Sequence, residues 1–168
     1  SSSLSAQTLM LGVRNAFSVL DLAVVVFDMP FFAGTVATGD RIALVSAVDE
    51  YVRGYMLVIQ ELVALFKKQK KGRLVFVVRE MPATGSSPSA KNIPISVACA
   101  AFMRLAEETA LECSGAEQPE IQTLQVKLEQ EDDNANLDWL VSQLSAPASQ
   151  RGQCRWIKAG SRGLFGKI

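Results

Sequence analysis

The chain has 168 residues, 49% of them hydrophobic, with seventeen basic and seventeen acidic side chains and no histidine. A formal charge of zero gives no global field that would favour nucleic acid or an anionic membrane, and the missing histidine removes Ser-His and Cys-His catalysis and the commonest zinc ligand. No apolar run reaches the roughly 18 to 20 residues that cross a bilayer, and the opening SSSLSAQTLMLG lacks the basic region of a signal peptide. The expectation is one cytoplasmic domain over 1–168 with no nucleic-acid or membrane partner.

Ser5 to Val19 carries Leu9, Val13, Ala16 and Phe17 at helical spacing, with Ser5 as an N-cap. Leu22 to Phe27, LAVVVF, is a continuous, mostly β-branched apolar run, the pattern of a strand buried on both faces of a parallel sheet. Asp28-Met29-Pro30 ends it, and Phe31 to Asp40, with Gly34 and Gly39, reads as a crossover loop.

The stretch Asp49 to Lys71, starting from Asp40 or Ser46, reads as one long helix with two apolar stripes. Val52, Met56, Ile59, Val63 and Phe66 form one; Tyr51, Tyr55, Val58, Leu62 and Leu65 form the other. Two stripes demand cover on two sides, so the helix should lie on a sheet and against a second helix, from this chain or another subunit. Gly54 inside it marks close approach of a neighbouring backbone. Lys67, Lys68, Lys70 and Lys71 suit the negative end of the helix dipole, and Gly72 suits the C′ position.

Leu74 to Val78 is a second strand of the buried type, and Arg79 to Pro94 is a polar, proline-rich loop. Ser96 to Glu112 reads as a helix with Cys99, Met103, Ala106, Ala110 and Cys113 on one stripe and Ala98, Phe102 and Leu105 on another. Small side chains along a stripe permit close helix approach. Ile121 to Leu128 is a strand nearer the sheet edge with Leu124, Val126 and Leu128 on one face. Glu129 to Asp133 is a solvated acidic lead-in, Asn136 to Leu144 a helix, Gln153 to Ile157 a short last strand, and about 160–168 a turn-rich tail. Cys99, Cys113 and Cys154 have no metal-knuckle spacing and read as reduced thiols, and no metal site is expected.

Helices alternating with strands give an α/β fold, a parallel sheet of about four strands with helices on both faces. The run DEYVRGYMLVIQELVALFKKQKKGRLVFVV resembles the central part of the short-chain dehydrogenase/reductase family, where an N-x-x-G helix leads into G-R-I-V. ISVACAAFMRLAEETALEC resembles that family's Y-S-A-S-K-A-A segment, EIQTLQVKLE its next strand and GQCRWIKAG its terminal G-Q-x-x-x-V-D-G-G. The resemblance covers most of Asp21 to Gly160 and implies the C-terminal part of a Rossmann fold. The family's chemical motifs are absent from it. The T-G-x-x-x-G-I-G turn has no counterpart, the N-N-A-G turn falls on Val25 to Asp28, and the helix asparagine falls on Tyr51. The catalytic serine falls on about Arg79 or Glu80, the tyrosine on Ile95, the lysine on Cys99, and the P-G turn on Glu129 and Gln130.

Isoleucine has no exchangeable proton and cysteine supplies no fixed positive charge, so the proton transfer that supports hydride transfer has no carrier here. What this implies is a truncated, catalytically inactive reductase-like domain, with no cofactor, that forms a homo-oligomer or binds a protein partner. The interface candidates are Tyr51, Tyr55, Val58, Leu62, Leu65, Cys99, Met103, Ala106 and Ala110, on helices 49–71 and 96–113. The competing expectation is an NAD(P)-dependent oxidoreductase with a partner-supplied or non-standard site, using Tyr51 or Tyr55 as acid and Glu80 as base under the 79–94 loop. Gly85, Ser86 and Ser87 could form an anion nest in that loop.

Overall fold

A computed structural model describes residues 2–35, 41–81, 93–115, 120–128, 133–145 and 155–159. The described elements run α1 (Ser3–Ala16), β1 (Leu22–Asp28), α2 (Met29–Thr35), α3 (Arg41–Gln69), β2 (Lys71–Arg79), α4 (Ile93–Cys113), β3 (Glu120–Leu128), α5 (Asp133–Ser145) and β4 (Trp156–Lys158). The strands form one sheet in the order β1-β2-β3-β4, every neighbouring pair parallel. The fold class is therefore α/β, a four-stranded parallel sheet with helices on both faces, compatible with a Rossmann-like arrangement.

Alternation along β2 divides the core in two. Leu74, Phe76 and Val78 face α3 and α4 and join a large cluster with Phe27, Ile59, Phe66 and Phe102, each at most 2% exposed. Val75 and Val77, with Val126 of β3, face the other way and pack under Trp139, Leu140 and Leu144 of α5. Arg73 seats the end of α5 at the start of β2, donating from Nη1 to the Leu144 carbonyl at 2.6 Å and from Nη2 to that of Gln143 at 3.1 Å. Because the sheet steps in one direction throughout, a helix on the far face gives the third crossover the opposite hand to the first two.

Several expectations need correction. The apolar run of β1 is not buried on both faces: it is an edge strand, with Leu22, Val24 and Val26 exposed at 38%, 41% and 45% on the α5 side. β3 is an inner strand between β2 and β4. Phe31 does not begin a loop, because Asp28 Oδ1 accepts the Phe31 amide at 3.0 Å and starts the short helix α2 there. The long helix begins at Arg41 and ends at Gln69, where Lys70 takes the left-handed conformation with φ 61°. Gly72, expected to end that helix, lies in β2, and a Cβ on it would sit 2.2 Å from the Phe66 ring.

Candidate functional site

In open α/β sheets ligands bind beyond the carboxyl ends of the strands. Here those ends hold charges that satisfy one another. Asp28 Oδ2 meets Arg79 Nη1 at 3.2 Å, and Glu80 Oε1 meets Lys127 Nζ at 3.0 Å, all partly buried. The Lys127 ammonium stands 5.9 Å from the Trp156 ring centre, and the Trp156 indole N–H donates to Glu107 at 3.1 Å. Beside this cluster, on α4, Ile95 and Cys99 are only 3% and 6% exposed. Burial, then the Glu80 charge, push the Cys99 thiol up to about 11, with Lys127 opposing, so the group is a neutral core side chain.

The tyrosines have structural partners as well. The Tyr55 hydroxyl donates to the Val26 carbonyl at 2.7 Å, and burial, then the Asp28 and Tyr51 charges, push its pKa up to about 12. Its ring lies 4.9 Å from Phe102 and 5.6 Å from Phe27. Tyr51 lies 4.2 Å from the Phe32 ring. A proton held by a backbone carbonyl at a pKa near 12 makes Tyr55 a poor general acid, and Glu80 is engaged by Lys127.

The stripes of α3 and α4 are satisfied within the chain. Leu62, Leu65, Cys99, Ala106 and Ala110 are each at most 7% exposed, and Met103 packs against the larger core cluster. The second helix that α3 demanded is α4, with α1 as a further cover through Met10. Tyr51, Tyr55 and Val58, with Gly54 between them, instead line a groove of about 450 Å³ between α1 and α3, floored by Val25 and Phe32. Gly54 forms part of its wall. The outward side of the helix layer carries a stripe that the two-stripe reading missed. Ile93, Val97 and Leu111 of α4 are exposed at 60%, 55% and 52% and Ala100 is exposed with them, while Arg104 and Glu108, paired with each other, fall on the same line between Ala100 and Leu111. Its spacing of four, three and eleven residues was readable in the sequence.

The free edge of β1 is held at its two ends by side chains. The Arg73 amide donates to the Asp21 carbonyl at 2.9 Å, so strand alternation turns the backbone groups of Leu20, Leu22, Val24 and Val26 away from β2. Gln69 accepts from the Leu20 amide at 3.3 Å and donates to its carbonyl at 2.9 Å, while Tyr55 takes the Val26 carbonyl. Tyr55 and Gln69 are fourteen residues apart, about 21 Å of helix, and Val26 and Leu20 about 20 Å of strand. The two lengths match, so one helix clamps the edge at both ends.

Among the described residues no helix is long and apolar enough to cross a membrane, and no group of three or more His, Cys, Asp or Glu side chains could hold a metal. The Arg79 to Pro94 cover, apart from 79–81 and 93–94, lies outside the described residues, as do the Gly85-Ser86-Ser87 nest, Glu129, Gln130, Cys154 and the tail from 160. Over 164 residues the chain is 35% identical to a protein of Treponema pallidum (strain Nichols) named "Uncharacterized protein", covering 97% of this chain and 72% of that one. The chain belongs to that protein's family. No protein-family model matches it. The shared family spans all of the elements described above, from α1 to β4.

Proposed function

We propose that this chain is a catalytically inactive domain of the short-chain dehydrogenase/reductase type that works by association, as a homo-oligomer or with a protein partner. The observation that carries this reading is the exposed apolar patch Ile93, Val97 and Ala100 at the start of α4, with Leu111 further along the same helix. The neutral Ile95 and Cys99 and the mutually paired strand-end charges support the absence of hydride transfer.

Light scattering and thermal melting in the presence of nicotinamide nucleotides test the proposal together. A species heavier than one chain is expected, and Val97→Glu is expected to lower its mass. NAD(H) and NADP(H) at 1 mM should leave the melting temperature unchanged. A nucleotide at about 100 times its dissociation constant would add roughly 2.7 kcal/mol, on the order of 5 to 10 °C. A shift of that size would replace this reading with the NAD(P)-dependent oxidoreductase whose site a partner completes.

A further inference from the structure

Among the described residues α5 is the one helix that buries no apolar side chain. Ala6 and Met10 anchor α1 and Met29 anchors α2, while α3 and α4 each bury several. On α5, Trp139, Leu140 and Leu144 are half-buried, and Leu137 and Val141 stay exposed. The three side chains beneath it, Val75, Val77 and Val126, are at most 1% exposed. The sheet thus draws more cover from the helix than the helix draws hold from the sheet.

What completes the hold is Arg73. Alternation along β2 puts it in the same row as Val75 and Val77. Both of its side-chain hydrogen bonds run to the last carbonyls of α5, Leu144 at 2.6 Å and Gln143 at 3.1 Å. Asp21 pairs instead with Lys71 at 2.9 Å, so the negative end of the α5 dipole is the counter-charge of this partly buried guanidinium. A charge-assisted fork of this kind outweighs a neutral hydrogen bond, and it grips the helix at one end. The strands on either side of α5 are anchored without it. β3 lies between β2 and β4. Trp156 of β4 packs against the larger core cluster and donates its indole N–H to Glu107 of α4 at 3.1 Å, and the Ala159 amide donates to the Lys127 carbonyl at 2.9 Å.

We infer that α5 is a strap latched at its C-terminal end by Arg73, and that it lifts off the sheet as a unit while the four strands, α3 and α4 stay packed. Lifting bares Val75, Val77 and Val126. Through the register Val24↔Val75 and Val26↔Val77 it joins them to the part of β1 already exposed on this face. The strap lies on the face of the sheet opposite α4, and the inference does not rest on the function proposed above.

Thiols on the two faces of the sheet report the two kinds of opening. Val77→Cys, in a Cys154→Ser background, places one under α5, while Cys99 and Cys113 are buried on the other face. Alkylation by N-ethylmaleimide at pH 8, read site by site by mass spectrometry, should modify the Val77→Cys thiol roughly tenfold or more faster than Cys99 and Cys113. Low urea should speed Cys99 and Cys113 steeply and the Val77→Cys thiol little, because lifting a single helix exposes little surface. Arg73→Met keeps the apolar stem and removes the fork, so it should speed the Val77→Cys reaction on the order of 10- to 100-fold. Hydrogen exchange on the parent chain makes the same comparison with no added thiol: the α5 amides should exchange before those of β2 and α3. One common rate and urea dependence for the three thiols would overturn the inference. So would an unchanged Val77→Cys rate in Arg73→Met, or α5 amides that exchange only together with those of β2.

Discussion

The phenol of Tyr55 and the carbonyl of Val26 are joined by a 2.7 Å hydrogen bond on the side of β1 that faces away from β2. An edge strand presents a row of backbone groups that template further pairing, and proteins cover or interrupt such rows. Here a helix of the same chain does so from above. Tyr55→Phe keeps the ring contacts with Phe27 and Phe102 and removes only this bond, so it should cost about 0.5 to 1.5 kcal/mol in urea unfolding. A wild-type unfolding curve would mean that water replaces the phenol without loss.

Gly72 and Gly12 should respond to alanine with opposite signs. At Gly72 the new methyl group would meet the fully buried Phe66 ring at 2.2 Å, so Gly72→Ala should destabilise by roughly 1 to 3 kcal/mol. Gly12 lies inside α1 with nothing within 4 Å of such a methyl group, and alanine there should add about 0.5 to 1 kcal/mol. Thermal or urea unfolding of the two variants decides both signs.

Asp28 serves two elements, accepting the Phe31 amide with Oδ1 and meeting Arg79 with Oδ2. Asp28→Ala should cost about 1 to 2 kcal/mol, mostly through the lost cap, because the ion pair is partly exposed. Asp28→Ser keeps a capping oxygen and loses the charge, so it should recover most of that cost in the same unfolding measurement. Equal losses for the two variants would assign the effect to the ion pair instead.

The buried thiols set a pH dependence. Burial pushes both Cys99 and Cys113 up to about 11. An unfolded thiol ionises near 8.5. Between those values the unfolded chain has released protons that the folded chain retains, so stability is fully present below about pH 8.5 and falls as pH rises toward 11. Urea midpoints should decline over that window. At pH 8 a thiol reagent should modify Cys99 and Cys113 only after unfolding.

Much of this fold was legible in the sequence, for identifiable reasons. Leu74 to Val78 is apolar at every position and became the central strand, and the doubled stripe of α3 signalled cover on two sides. Periodicity states how many sides of a helix are covered, not which segment covers them, so Leu62, Ala106 and Ala110 read as open surface although α3 and α4 bury their stripes within one chain. LAVVVF is as apolar as LVFVV, yet one run lies at the edge and the other at the centre, because position in a sheet depends on crossovers that composition does not encode. The short α2 escaped notice since Pro30 and Gly34 break its pattern within seven residues; only Asp28 ahead of it, as a cap, gave a signal. At the strand ends, Arg79 and Glu80 read as the start of a polar loop, and their pairing with Asp28 and Lys127 required the register of three strands.

Gln69 and Tyr55 both belong to α3, and between them they hold the two ends of the β1 margin. Protection of that margin is therefore tied to the integrity of a single helix. Should heat or mild denaturant melt α3 ahead of the sheet, the LAVVVF segment would be released as a sticky template, and self-assembly into fibrils would begin there before global unfolding is complete.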